Sequence, residues 1–243
     1  MDLKPLAGKV ALITGGGKRL GRELALGLAE AGADVVITFR NSYNEAAKTL
    51  LEIETNEVRG FVIEMDVRDE QSVSRAIHST LARAGRLDIL INSAAVFETA
   101  ALDQISLDQW DRVFETNTRG PFLVAREALP YLRASGGRIV NLGSLGAMQS
   151  WSTHGHYCAS KAALHSLTKT MAKAFAPEVS VNCVAPGWVQ MGSGQVDAGR
   201  FAARTPMGRN ASAADVLEAV LFFATGPNFI TGQVLVVDGG LGL

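Results

Sequence analysis

The sequence predicts an α/β protein: a doubly wound parallel sheet of about seven strands, flanked by helices in a three-layer arrangement. Two observations predict it. Short β-branched runs alternate with longer amphipathic ones along the whole chain, and strict strand–helix–strand order implies right-handed crossovers between parallel strands. Several strand-like runs are apolar throughout rather than alternating, as strands covered on both faces require. With 243 residues and 47% hydrophobic content, the chain can bury one large core.

The elements follow in order. Strands are expected at KVALIT (9–14), DVVITF (34–39), RGFVIEM (59–65), DILIN (88–92), GRIVNL (137–142), VSVNCVA (179–185) and QVLVVD (233–238). Helical patterns fall between them at about 20–31, 43–56, 69–84, 106–133, 156–175 and 212–224. The glycine-rich run 187–211 fits neither period. An irregular stretch of that length in a compact domain is usually a lid or binding loop. Residues 1–243 therefore read as a single domain with a lid near 187–211.

Composition excludes several classes. A net charge of -1 without a basic run argues against nucleic acid as the partner. The apolar run in MDLKPLAGKVALIT is too short for a signal peptide, and no segment reaches about 18 uninterrupted apolar residues. Cys158 and Cys183 lack metal-ligand spacing and form no disulfide framework, so neither a metal nor a membrane is expected and a cytoplasmic setting fits.

After the first strand comes TGGGKRLGREL, Thr14 to Leu24. Its glycines, Gly15 and Gly21 among them, let the backbone approach a diphosphate at the N-terminus of the following helix. The spacing is not the standard G-x-G-x-x-G, since Leu20 stands where a glycine is needed. Lys18 and Arg19 would be poorly placed in a purely structural turn and are well placed beside phosphates. The second strand ends Phe39-Arg40-Asn41-Ser42, with no carboxylate between Asp34 and Glu45. An acidic residue at this place bonds a ribose hydroxyl, whereas an arginine accommodates a 2′-phosphate. NADPH is thus favoured over NADH. Asp66 and Val67 close the third strand, where a carboxylate and an amide can meet an adenine edge; Asp66 could equally cap the next helix.

The stretch Ser144–Lys161 carries a hydroxyl, a phenol and an ammonium. Tyr157 and Lys161 are four residues apart on an expected helix and so share one face. At about 4 Å and an effective dielectric of about 20, their attraction would be roughly 4 kcal/mol, some three pKa units off the phenol. Such a pair arises by chance roughly one time in eleven in a chain of this composition. Its weight comes from the cofactor turn.

Together these residues resemble the short-chain dehydrogenase/reductase family over essentially the whole chain. The motifs in order are TGGGKRLG, Asp66-Val67, NSAA at 92–95, NTRG at 117–120, Ser144, YCASK at 157–161, Pro186-Gly187 and VVDGG at 236–240. The resemblance implies a Rossmann-fold, NAD(P)-dependent oxidoreductase, homotetrameric or homodimeric, with a tetrad of Asn117, Ser144, Tyr157 and Lys161. Tyr157 would protonate a carbonyl oxygen held by Ser144, and Lys161 would lower the Tyr157 pKa and hold the nicotinamide ribose. Asn117 would anchor a water linking Lys161 to solvent. Asn92 and Ala94 would line the cofactor site, with Pro186, Gly187 and Val189 on the nicotinamide side. The chain departs from the family pattern at Arg19 and Ser93, and at Met191, where a threonine is usual; Ser193 is a candidate substitute.

Two substrate readings compete. Arg19 and Phe97 look like the pair that frames a pterin in pteridine reductases, but those enzymes usually carry aspartate at the place of Ser144. A serine suits a ketone better, as in 3-oxoacyl-carrier-protein reductases. A third, non-enzymatic reading is a dinucleotide-binding sensor, which would not need the Ser-Tyr-Lys relay. Pocket candidates are Phe97, Met148, Trp151, His154, His156 and Trp188, mostly aromatic as small-molecule pockets are. His78 and His165 read as surface or packing residues, and Cys158 as packing.

Overall fold

A computed structural model describes residues 4–191 and 198–243. All seven strands are present: β1 (Val10–Ile13), β2 (Asp34–Phe39), β3 (Gly60–Glu64), β4 (Ile89–Asn92), β5 (Arg138–Leu142), β6 (Ser180–Pro186) and β7 (Val234–Val237). They form one parallel sheet in the order β3-β2-β1-β4-β5-β6-β7. Helices α1 (Arg19–Glu30), α2 (Tyr43–Glu54) and α8 (Ala213–Thr225) pack on one face, and α3 (Glu70–Ala84), α5 (Gly120–Ser135) and α6 (Gly155–Phe175) on the other.

The apolar-throughout strands are explained by this sandwich. In β1, Ala11 and Ile13 join Leu24 and Leu28 of α1 in one buried cluster, while Val10 and Leu12 join Leu132 of α5 in the other. Successive side chains point to opposite faces, and both faces are dry. Each fully buried leucine or isoleucine contributes about 1.5–3 kcal/mol.

Two helical expectations change. The stretch 106–133 is not one helix but α4 (Leu107–Phe114), a π-helical turn (Glu115–Arg119) and α5. Pro121, in the first turn of α5, lacks the N–H that would continue the ladder. The Gly120 N–H instead reaches back five residues to the Glu115 carbonyl. Within 187–211, residues 192–197 lie outside the described residues, but α7 (Ala198–Arg204) is helical and Val189 bridges Ala211.

The order reverses between β1 and β4. The chain winds outward through β2 and β3, then returns to place β4 on the other side of β1. Their C-terminal ends diverge there and leave the crevice in which doubly wound sheets bind ligands. Thr14 spans this point, its hydroxyl accepting from the Ser93 N–H (3.0 Å) and the Ala94 N–H (2.9 Å).

Candidate active site

A cleft of about 1640 Å³ opens along the C-terminal ends of the strands. At one end lie Gly15, Lys18, Arg19, Leu20 and Gly21 from the first turn, with Arg40, Asn41 and Ser42 after β2 and Asp66 and Val67 after β3. The first turn is built for close approach. A Cβ at Gly21 would collide with the Gly15 carbonyl oxygen. No side chain caps the start of α1, whose first residues line the cleft, so no capping group competes there for an anion. Arg19 holds the place of a family glycine and keeps a glycine-like backbone at φ +52°, a conformation that costs a residue with a Cβ of order 1 kcal/mol.

Ser42 caps α2 without spending its hydroxyl on the helix. Glu45, from the first turn of α2, also reaches the cleft and was not singled out in the sequence. Asp66 is gripped by the Arg68 side chain, which with Arg40 holds its carboxyl below the usual carboxylate range. It does not cap α3; Asp69 does, accepting from the Gln71 N–H at 2.9 Å. These donors, cations and missing side chains fit an anionic dinucleotide.

The tetrad residues come from three elements. Ser144 follows β5, and its hydroxyl accepts from the Gly146 N–H at 3.1 Å. Tyr157 and Lys161 lie one turn apart on α6, with the Lys161 Nζ 6.0 Å from the centre of the Tyr157 ring. Nζ donates to the Leu142 carbonyl at 2.7 Å. Ser144, Tyr157 and Lys161 all line the cleft. Asn117 lies beneath it, fully buried in the π-turn. Its Oδ1 accepts from the Val96 N–H (2.8 Å), while Nδ2 donates to the Val96 carbonyl (2.9 Å) and the Ser160 hydroxyl (3.1 Å).

The electrostatics differ from the expectation for the phenol. Burial raises the Tyr157 pKa, and Ser144 opposes that shift in part. Lys161 is not among the groups that offset this burial in the neutral phenol. Lys161 is itself pulled down to about 8 by burial.

Several sequence expectations are corrected. Asn92 does not open to the cleft: it is 3% exposed, and its Nδ2 donates to Asn141 Oδ1 at 2.9 Å, tying β4 to β5. Ser93, Ala94 and Ala95 take the lining position instead. Met148 is 52% exposed and lies away from the cleft, because the short turn after Ser144 directs it outward. His156 is buried beneath the site, both ring nitrogens without a hydrogen-bond partner. Ser193 lies outside the described residues.

Phe97, Trp151, His154 and Trp188 do line the cleft. Phe97 meets the Tyr157 ring edge-on at 4.8 Å and stacks on His154 at 4.6 Å. His154 is fixed by the Thr99 and Thr153 hydroxyls at 3.0 Å each. Pro186, at the end of β6, and Gly187 and Val189 just after it also line the cleft. Residues missed in the sequence join them. Arg200, Phe201 and Arg204 arrive on α7, with Phe201 stacked on Trp188 at 4.2 Å. Leu241 arrives from a C-terminal turn in which Asp238 accepts from the Gly240 N–H (2.9 Å) and the Gly242 N–H (2.8 Å). Behind Ser144 sits His165, buried and held down to about 4 by burial and by Lys161 and Lys169. Its place two turns beyond Tyr157 on one helical face was the available signal.

This arrangement, a dinucleotide crevice beside a Ser-Tyr-Lys group, matches what the comparisons return. A family model described as Enoyl-(Acyl carrier protein) reductase matches residues 17–242. The chain belongs to the short-chain dehydrogenase/reductase family of oxidoreductases. It is 33% identical to the hydroxynaphthalene reductase-like protein Arp2 of Metarhizium guizhouense, covering 98% of this chain and 96% of that one. It is also 33% identical to trans-4-hydroxycyclohexanecarboxylate dehydrogenase of Sinomonas cyclohexanicum, over 97% and 93% of the two chains. The crystal structure of a gluconate 5-dehydrogenase from Burkholderia cenocepacia J2315 in complex with NADP and tartrate superposes with a TM-score of 0.91 at 34% identity, covering 99% of this chain and 97% of that one.

Proposed function

We propose that the protein is an NADPH-dependent reductase of ketone or aldehyde carbonyls, 3-oxoacyl-type or similar small substrates, with Tyr157 as proton donor. One observation carries this reading: Ser144, Tyr157 and Lys161 open onto the same cleft as Arg40 and the first turn. NADPH, when bound, supplies the hydride. Gly15, Leu20, Gly21 and the start of α1 would receive its diphosphate, and Lys18, Arg19, Arg40 and Ser42 its 2′-phosphate. The complex of the B. cenocepacia relative with NADP supports the cofactor choice.

The chain's own groups supply the rest. Ser144 orients the carbonyl oxygen, and Tyr157 gives that oxygen a proton. A phenol raised by burial stays protonated at neutral pH, as a donor must. Lys161 stays largely protonated below about pH 8 and stabilises the phenolate left behind. Asn117 sets the π-turn and the Val96 backbone beside the site. The measurement is NADPH consumption over a panel of ketones, wild type against Tyr157→Phe. Equal rates in the two proteins would refute the phenol mechanism.

Pterin reduction is the second reading, favoured by the flat wall that Phe97 makes beside Tyr157. Ser144 in place of a carboxylic acid weighs against it, and the three relatives above are named for hydroxynaphthalenes, a hydroxycyclohexane acid and gluconate. Turnover of dihydropterins that falls in Phe97→Ala would reinstate it. A dinucleotide sensor needs no Ser-Tyr-Lys relay and is disfavoured.

The reading includes a single domain over 1–243, a lid near 187–211 and a homodimer or homotetramer. Exposed Leu107, Trp110 and Phe122 on α4 and α5 support association. No helix among the described residues is long and apolar enough to cross a membrane, and no metal-binding cluster occurs among them. Both cysteines are free, which suits a reducing, cytoplasmic compartment.

A further inference from the structure

Among the described residues, four arginines without a carboxylate partner line the cleft. Among the described residues, Arg22, Arg59, Arg68, Arg86, Arg112, Arg119, Arg126, Arg133 and Arg209 each pair with a carboxylate. Arg138 is satisfied by the Phe223 and Gly226 carbonyls. Six arginines remain without such a partner. Arg75 and Arg83 lie on α3 away from the cleft, whereas Arg19, Arg40, Arg200 and Arg204 all line it.

Arg19 and Arg40 stand at the phosphate end. Arg200 and Arg204 stand at the other, four residues apart on α7 and therefore on one helical face. The carboxylates that line the cleft, Glu45 and Asp66, belong to the phosphate end. Nothing acidic in the described lining offsets the α7 pair. Aromatic rings accompany both the pair and Tyr157: Phe201, on the same helix as the pair, is stacked on Trp188, and Trp151 and Phe97 pack against the phenol ring. A cleft that joins a proton donor, aromatic rings and two guanidiniums with no acidic partner among the described residues suits an apolar body with a charged tail. Fork-shaped guanidiniums match planar or tetrahedral oxyanions.

We propose that Arg200 and Arg204 form an anion subsite of the substrate pocket, and that the substrate is an oxo compound with an apolar body and a terminal oxyanion, carboxylate or phosphate ester. The inference deepens the carbonyl-reductase reading and rests on it for the word substrate. Binding tests it without turnover, so a wrong proton donor or a wrong reaction leaves the result interpretable. The protein saturated with NADP would be titrated calorimetrically with cyclohexanecarboxylate, cyclohexyl phosphate and the neutral cyclohexanecarboxamide.

At least one anion should bind more tightly than the amide, and the stronger of the two names the oxyanion. Arg200→Gln and Arg204→Gln should each weaken that anion about ten-fold, the lower end for a charge-assisted bond because both side chains are solvent-exposed. Arg75→Gln, an exposed arginine outside the cleft, should leave it unchanged. NADP affinity should be the same in all four proteins. Three results would each overturn the subsite: no anion bound better than the amide, anion affinity unchanged in both α7 variants, or a loss confined to NADP, which would assign the pair to the cofactor.

Discussion

The backbone N–H of Ser144 donates to Nε2 of His165, 3.4 Å away across the buried floor of the cleft. The space for this ring exists because residue 143 is glycine: a Cβ there would collide with Nε2. Nε2 must be unprotonated to accept, and the histidine's pKa of about 4 keeps it so. His165 is thus a positioning residue for the loop that carries Ser144.

Its titration has a sign. The folded pKa of about 4 lies below the ordinary value of about 6.5, so between these pH values the unfolded chain binds more protons. Stability is fully present above about pH 6.5 and falls by up to about 3 kcal/mol as the pH drops towards 4. His165→Gln, which keeps an acceptor and removes the titration, should flatten that part of the Tm–pH curve. His165→Leu strands the Ser144 N–H, and kcat should fall roughly ten-fold with KM little changed. An unaltered kcat in the leucine variant would reduce His165 to packing.

Lys161 sets the alkaline limb. Its ammonium titrates at about 8, so carbonyl reduction should decline as pH rises through that value. Folding stability should move the other way, gaining as pH rises from about 8 to 10.5, where the unfolded lysine still holds its proton. A rate profile flat from pH 7 to 10 would take Lys161 out of the chemistry. Tyr157→Phe should lose roughly 10²–10⁴ in kcat while NADPH still binds.

On the NADPH reading, Arg40 would govern cofactor choice. Arg40→Ala should raise the Kd for NADPH about ten-fold or more, the worth of one charge-assisted bond, and leave NADH nearly unaffected. Equal losses for both dinucleotides, read by fluorescence titration, would refute the 2′-phosphate role.

Asn117 holds the π-turn to the strand-end loop. Asn117→Ala would leave the Val96 N–H and carbonyl without their partner, at about 2 kcal/mol or more. For a chain of this size that is roughly 4–8 °C in Tm, readable by calorimetry. An unchanged Tm would mean that water replaces the amide at no cost.

Strand positions were legible because a strand dry on both faces writes itself as an unbroken apolar run, as in Val10–Ile13. The Tyr157–Lys161 pair was legible because helical spacing is regular. What the sequence hid depends on neighbours remote in the chain. Nothing local to Asn92 says that Asn141 will take its amide and turn it from the cleft, and the Phe97 ring packed edge-on against Tyr157 is 60 residues away in the chain. The break in 106–133 falls just before Pro121, whose missing N–H is a local signal set within apolar periodicity on either side. The α7 pair was masked by the glycines around it, which read as irregular chain.

The turn cinched by Asp238 has a practical side. Leu241 stands in the cleft wall, and Leu243 is two residues further on, at most about 7 Å of chain. A bulky group attached in the stretch just after Leu241 stands at the doorway of the pocket, where it can obstruct ligands or compete for them. A dye attached near Leu243 becomes a reporter of pocket occupancy.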